Sequence, residues 1–188
     1  MFARLHIRLL LALLVIAAMG LSAPSGAAAA QASWCKHAGA EPGQVTKRTL
    51  ARATLCLLNR QRRAHRMAKL RFSKRLGKAA RGHSAEMSHR KYFSHDSRSG
   101  ASFLDRIRRA GYLRSARAWS VGENIAWGSG SRSAVRSIAR AWMNSPGHRA
   151  NILNGRFRHI GVGISFGAPV RSSSRTAATY TTDFGVRR

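Results

Sequence analysis

At 188 residues and 44% hydrophobic, the chain can bury one sizeable core, and neither an internal repeat nor a long linker divides it. That excludes a repeat array or a string of domains. Charge is the outlying property: 34 Lys and Arg, mostly Arg, face 6 Asp and Glu, a formal +28. Such a chain is drawn to polyanions (nucleic acid, anionic lipid, acidic cell-wall polymer), with an attraction that falls steeply with salt.

The first thirty residues have the layout of a secretory signal peptide. Arg4 and Arg8 precede an apolar run from Leu9 to Met19, and small residues follow up to Ala30. The run falls short of the ~20 apolar residues a membrane span needs. Residues 1–30 are therefore expected to be removed, leaving a soluble secreted or extracellular protein. Residues 31–46, with Gly39, Pro42 and Gly43, read as an N-terminal arm, and 47–188 as the folded domain. The two cysteines, Cys35 and Cys56, suit a disulfide in an exported protein and would pin the arm to the first helix.

Thr46 is placed to cap a helix over 47–66, where Leu50, Ala53, Leu57 and Ala64 mark an apolar face, with Thr54 and Leu58 nearby. Arg48, Arg52, Arg60, Arg62 and Arg63 fall on the other side, as a solvated surface or a polyanion-binding face. Residues 69–72 read as an extended link. Ser73 is a good N-cap for a second helix with Leu76, Ala80, His83 and Met87 on one stripe. His83 reads as a packed, hydrogen-bonded residue. A loop carrying Ser94 and His95 comes next, then a short helix from Ser102 to Ala110 stopped by Gly111. Val135, Ile138, Ala139 and Trp142 form a further helical stripe that ends before Pro146, and HRANIL reads as one more turn. In the segment 159–166, Ile160, Val162, Ile164 and Phe166 alternate with Gly161, Gly163 and Ser165, as in a strand whose small face admits another layer closely. ATYTTDFGV is a second, antiparallel strand. Helices first and strands late point to an α+β fold.

Seven motifs, taken together, carry a family resemblance: HSAEM at 83–87, YFSH at 92–95, RIRRAGY at 106–112, GENIAWG at 122–128, AWMNSPGHRANIL at 141–153, IGVGISF at 160–166 and TYTTDFG at 179–185. In order and spacing they resemble the CAP superfamily (the SCP domain of cysteine-rich secretory, antigen 5 and pathogenesis-related proteins), in particular its bacterial secreted branch. The resemblance implies an α-β-α sandwich with a central antiparallel sheet flanked by helices. It also implies a surface cleft where many members place two His and two Glu, sometimes around a divalent metal. His95 and Glu123 match two of those four positions. Ser145 stands where many eukaryotic members have the second Glu, Thr179 where they have the second His, and Thr182 where a Gln is common. His148, in the bacterial GHR motif, is the substitute candidate.

The trio His95, Glu123 and His148 is thus the expected metal set, with Ser94, Asn124, Ser145 and Asn151 lining the cleft and Asn151 tying the last helix to the GEN segment, read here as a loop. Two neutral imidazoles and a carboxylate can hold zinc with a position open, making zinc the most plausible divalent cation; the same groups can also simply order the loops. A carboxylate beside a His can equally do acid–base work. Trp119, Trp127 and Trp142 read as core and cleft wall. Three functions remain: an extracellular binding module with a divalent-cation cleft and a basic surface for anionic envelope polymer or lipid, a peptide or ester hydrolase, and a cationic polyanion binder touching nucleic acid only nonspecifically.

Overall fold

The structure, a computed structural model, describes residues 35–172, 174 and 176–188. The expected signal peptide and the start of the arm lie outside the described residues. The elements in chain order are α1 (Lys47–Ala64), β1 (Arg71–Phe72), α2 (Lys74–Arg90), α3 (Phe103–Arg109), β2 (Trp119–Gly128), a 3-10 turn (Gly130–Ser133), α4 (Val135–Asn144), α5 (Pro146–Ile152), β3 (His159–Phe166) and β4 (Ala178–Arg187).

The sheet runs β1-β3-β4-β2. Strands β3, β4 and β2 are antiparallel, as expected, but the short β1 joins β3 in parallel, so the sheet is mixed. The link at 69–72 is thus an edge strand. The GEN segment also differs from its reading as a loop. It lies within β2, with Glu123 opposite Asp183 and Asn124 opposite Thr182.

Helices cover both faces. On one face Ile160, Val162, Ile164, Tyr180 and Phe184 pack against Leu50 and Leu58 of α1, Trp142 of α4 and Ile152 of α5. The other face is small and polar, as the alternation in β3 indicates. A Cβ on Gly161 or Gly163 would collide with the backbone of α2 at Leu76 and Ala80 respectively. Ser84 and Ser88 of α2 hydrogen-bond directly to Thr181 and Ser165 of the sheet (2.9 and 2.7 Å). A second apolar cluster of Leu76, Ala79, Ile107 and Tyr112 completes that layer. The result is the expected α-β-α sandwich.

Thr46, Ser73 and Ser102 cap α1, α2 and α3 through their side chains. Cys35 and Cys56 are bonded across 21 residues and hold the arm to α1, a closure worth about 3 kcal/mol in the chain-entropy account. The buried line of α1 is rotated from the expected stripe: it runs through Leu50, Thr54, Leu58 and Arg62, while Ala64 is exposed. Arg62, expected at the surface, is fully buried. Its guanidinium reaches four backbone carbonyls: Ala68 (2.7 Å), Ile152 (2.7 Å), Asn154 (3.0 Å) and Phe157 (3.2 Å). A buried cation is tolerable there because its donors are spent on otherwise orphaned acceptors. Among the described residues, no helix is long and apolar enough to cross a membrane.

Candidate functional site

Glu123 sits on β2 facing the α2 layer, with its side chain 1% exposed. Each carboxylate oxygen has one partner: His95 Nδ1–H donates to Oε1 (2.8 Å) and Arg106 donates to Oε2 (2.7 Å). A carboxylate only accepts, which fixes the proton of His95 on Nδ1 and leaves Nε2 free on a half-exposed ring. Two local devices deliver these partners. Lys91, in the left-handed region (φ 54°), ends α2 and turns the chain into the loop carrying His95. Ser102 and Asp105 form a reciprocal capping box that starts α3 and aims the next residue, Arg106, inward. Arg106 is itself buried and also donates to the Ala101 carbonyl (3.2 Å) and Ser97 Oγ (3.3 Å).

The site continues beneath the sheet surface. Asn151 on α5 donates to the Glu123 carbonyl (3.1 Å) and to Asn124 Oδ1 (2.9 Å). Asn124 donates to the carbonyl of His148 (3.0 Å). His148 Nδ1 in turn meets Ser145 Oγ at 2.8 Å. On the other side, His83 Nε2–H donates to the carbonyl of Ser94 (2.8 Å), holding the His95 loop against α2.

The charges in this network pull against one another. Burial pushes the Glu123 pKa up, but the His95 hydrogen bond and the positive charge of Arg106 outweigh it and hold the carboxyl below its ordinary value. The hydrogen bond to Glu123 raises His95. Burial, helped by the charge on His95, lowers His148. The two imidazoles are thus shifted in opposite directions. Directly opposite Glu123, Asp183 is buried with Oδ1 unpartnered. Burial and the Glu123 charge raise its pKa well above its ordinary value.

The expected site residues are thus brought together. His95, Glu123, Asn151, Asn124, His148 and Ser145 form one connected chain of hydrogen bonds, and Ser94 anchors the loop. What does not form is a three-ligand cluster. Among the described residues, no three His, Cys, Asp or Glu side chains gather to hold a metal ion. Glu123 does not fit as a direct ligand, because both its oxygens are engaged and a guanidinium lies 2.7 Å away. The Nε2 edge of His95 is the ring nitrogen turned away from Glu123, the kind of arrangement in which a carboxylate orients a histidine from behind. Sequence reasoning missed Arg106 and Asp183. The signal for Arg106 was present: a buried carboxylate requires a cation, and RIRRAGY supplied one on the inward side of a short helix. Trp142 is core, as expected, and donates to the Ile125 carbonyl (3.1 Å), whereas Trp119 and Trp127 are exposed.

Comparison with known proteins bears on the fold. The family model described as "CAP: Cysteine-rich secretory protein family" matches residues 55–182. The uncharacterized protein YkwD of Bacillus subtilis is 38% identical over 107 residues, which are 57% of this chain and 39% of that one. The uncharacterized membrane protein YlbC of the same organism is 36% identical over 62% of this chain and 32% of its own length. The chain therefore spans only about a third to two-fifths of the curated relatives it matches. Among solved structures, an extracellular protein containing an SCP domain from Bacillus anthracis superposes with a TM-score of 0.56 at 29% identity, covering 78% of this chain and 45% of that chain. An outer surface protein of Borrelia burgdorferi gives 0.56 at 20% identity over 70% of this chain and 87% of that chain, a likeness of fold. With its motifs, its sandwich and a match over most of its length, the chain belongs to the cysteine-rich secretory protein (CAP) family.

Proposed function

We propose that this CAP domain is a secreted binding module whose cleft takes a divalent cation, zinc in the first instance, through His95 and His148, and whose basic exterior associates with anionic envelope material. The disulfide and the extracellular relative support export. The observation that carries the cleft reading is the pairing of His95 Nδ1–H with the buried Glu123, which leaves Nε2 directed away from the carboxylate. Zinc would gain two oriented imidazoles and complete its shell with water or ligand.

Calorimetric zinc titration tests this. The His95→Ala and His148→Ala variants should each lose at least about tenfold in affinity, and Glu123→Gln about 10–100-fold through lost orientation. Affinity should also fall on acidification through the raised pKa of His95, because a proton then competes for Nε2. Identical heats for wild type and the double His variant would refute the reading. One observation favours a second reading. His95 is raised and His148 lowered, the separation expected of an acid and a base in one site, with Ser145 Oγ at 2.8 Å from His148. A hydrolase of this kind requires a peptide or ester substrate whose turnover depends on both histidines.

A further inference from the structure

We infer that the open groove across the ends of the four strands, remote in chemistry from the histidine cleft, is a binding site for an acidic polysaccharide. The groove encloses about 1210 Å³ and is built where β1, β3 and β2 and β4 converge: at the starts of the first three and the end of the last. Lys69, Arg71, Arg156, Arg158, Arg187 and Arg188 line it, with no acidic side chain among its lining residues. None of the six makes an ion pair with an Asp or Glu side chain among the described residues. Six cations gathered around a concave surface repel one another, and an unneutralised cluster of this kind favours a bound anion.

Three further features narrow the ligand. Four strand ends at a spacing of ~4.8 Å make a row about 14 Å across, the scale of an extended polymer segment and not of a single ion. Five of the six cations are Arg, whose planar fork suits carboxylate, sulfate or phosphate groups in paired hydrogen bonds. Trp119, 42% exposed, stands in the groove wall with the Arg108 guanidinium against its ring at 5.8 Å. One fixed aromatic beside a row of arginines suits a sugar ring stacked next to its acid groups. A single-stranded nucleic acid would call for successive stacking platforms. His159 reports the same field: burial, then Arg187 and Arg71, lowers its pKa.

This inference rests on the reading of an exported protein with anionic targets, but it assigns that binding to one place. The test uses the full chain with oligogalacturonate as probe, and inorganic polyphosphate and oligothymidylate as comparators. The side chains of Arg71 and Arg156 are exposed and make no hydrogen bond among the described residues, so Arg71→Gln/Arg156→Gln leaves the fold alone. That pair should weaken oligogalacturonate binding about tenfold or more and lower the salt slope by about two. A charge-matched pair elsewhere, Arg132→Gln/Arg140→Gln, should cost less than about threefold, since it loses only long-range, salt-screened attraction. Trp119→Ala should weaken the glycan several-fold and leave polyphosphate unchanged.

Equal losses in the two Arg pairs would overturn the groove while leaving a diffusely basic exterior intact. Oligothymidylate binding as tightly as the glycan, with Trp119→Ala without effect, would overturn the polysaccharide assignment. No binding by wild type at low salt would overturn both the groove and the anionic-target reading. Zinc affinity should be the same in every variant, which separates this test from that of the histidine cleft.

Discussion

Arg62→Leu should destabilise the protein by about 3–5 kcal/mol, read as a lower urea midpoint with an unchanged slope. The substitution keeps apolar bulk but strips donors from the carbonyls of Ala68, Ile152, Asn154 and Phe157. Each unsatisfied buried carbonyl costs about 1–3 kcal/mol, and local relaxation recovers part of the sum. Arg62→Lys should fall between, because an ammonium cannot span the same fork. The exposed neighbour Arg63→Ala should stay within about 0.5 kcal/mol. A loss under about 1 kcal/mol for Arg62→Leu would show that the carbonyls find other donors. The effect should also reach the cleft. Three of the four carbonyls lie at the end of α5 and in the turn from it to β3, and α5 carries His148 and Asn151.

The second large effect lies in the site itself. Arg106→Met should cost about 3–5 kcal/mol at neutral pH, because it leaves the Glu123 carboxylate buried with only His95 as partner. Its pH dependence is the sharper signature. In the wild type the Glu123 pKa is depressed, so its contribution is present above the unfolded-state pKa and lost as pH falls through the folded value. Without Arg106, burial pushes Glu123 upward against the His95 hydrogen bond alone. Relative to wild type, which shares the contribution of Asp183, the stability of the variant should then rise as pH falls from 7 toward the carboxylate range. Adding Glu123→Gln to Arg106→Met should restore much of the loss. Chemical denaturation across pH 4–8 resolves these outcomes, and parallel pH profiles for the two proteins would contradict the account.

The fold was largely legible because its signals are local and periodic. The alternation of Ile160, Val162 and Ile164 with Gly161 and Gly163 determines which face of β3 is apolar and which admits α2. Thr46, Ser73 and Ser102 mark the helix starts they cap. The short β1 was not legible, since two exposed residues carry no alternation and pair only because β3 lies beside them. GENIAWG read as a loop because Gly122 and Asn124 are turn residues in isolation. Only pairing with all of β4 makes them strand.

In the site, residue identities were legible and their roles were not. Glu123 looks like a ligand in sequence. That both its oxygens are engaged appears only once Arg106, seventeen residues earlier, is seen on the second of them. Arg62 looks like one more charge on a basic helix. Its burial depends on carbonyls about ninety residues away, which no helical pattern reports. Asp183 shows nothing until strand register sets it opposite Glu123.

The central claim is that Glu123 orients His95 so that Nε2 is the atom offered to a ligand. Imidazole ¹⁵N chemical shifts of the full protein, recorded at neutral pH before and after addition of zinc, test it most directly. The account predicts that Nδ1 of His95 carries its proton throughout, and that zinc moves the Nε2 signals of His95 and His148 together. A His95 whose Nδ1 lacks the proton in the free protein, or a zinc response confined to Nδ1 or absent from both rings, would contradict it.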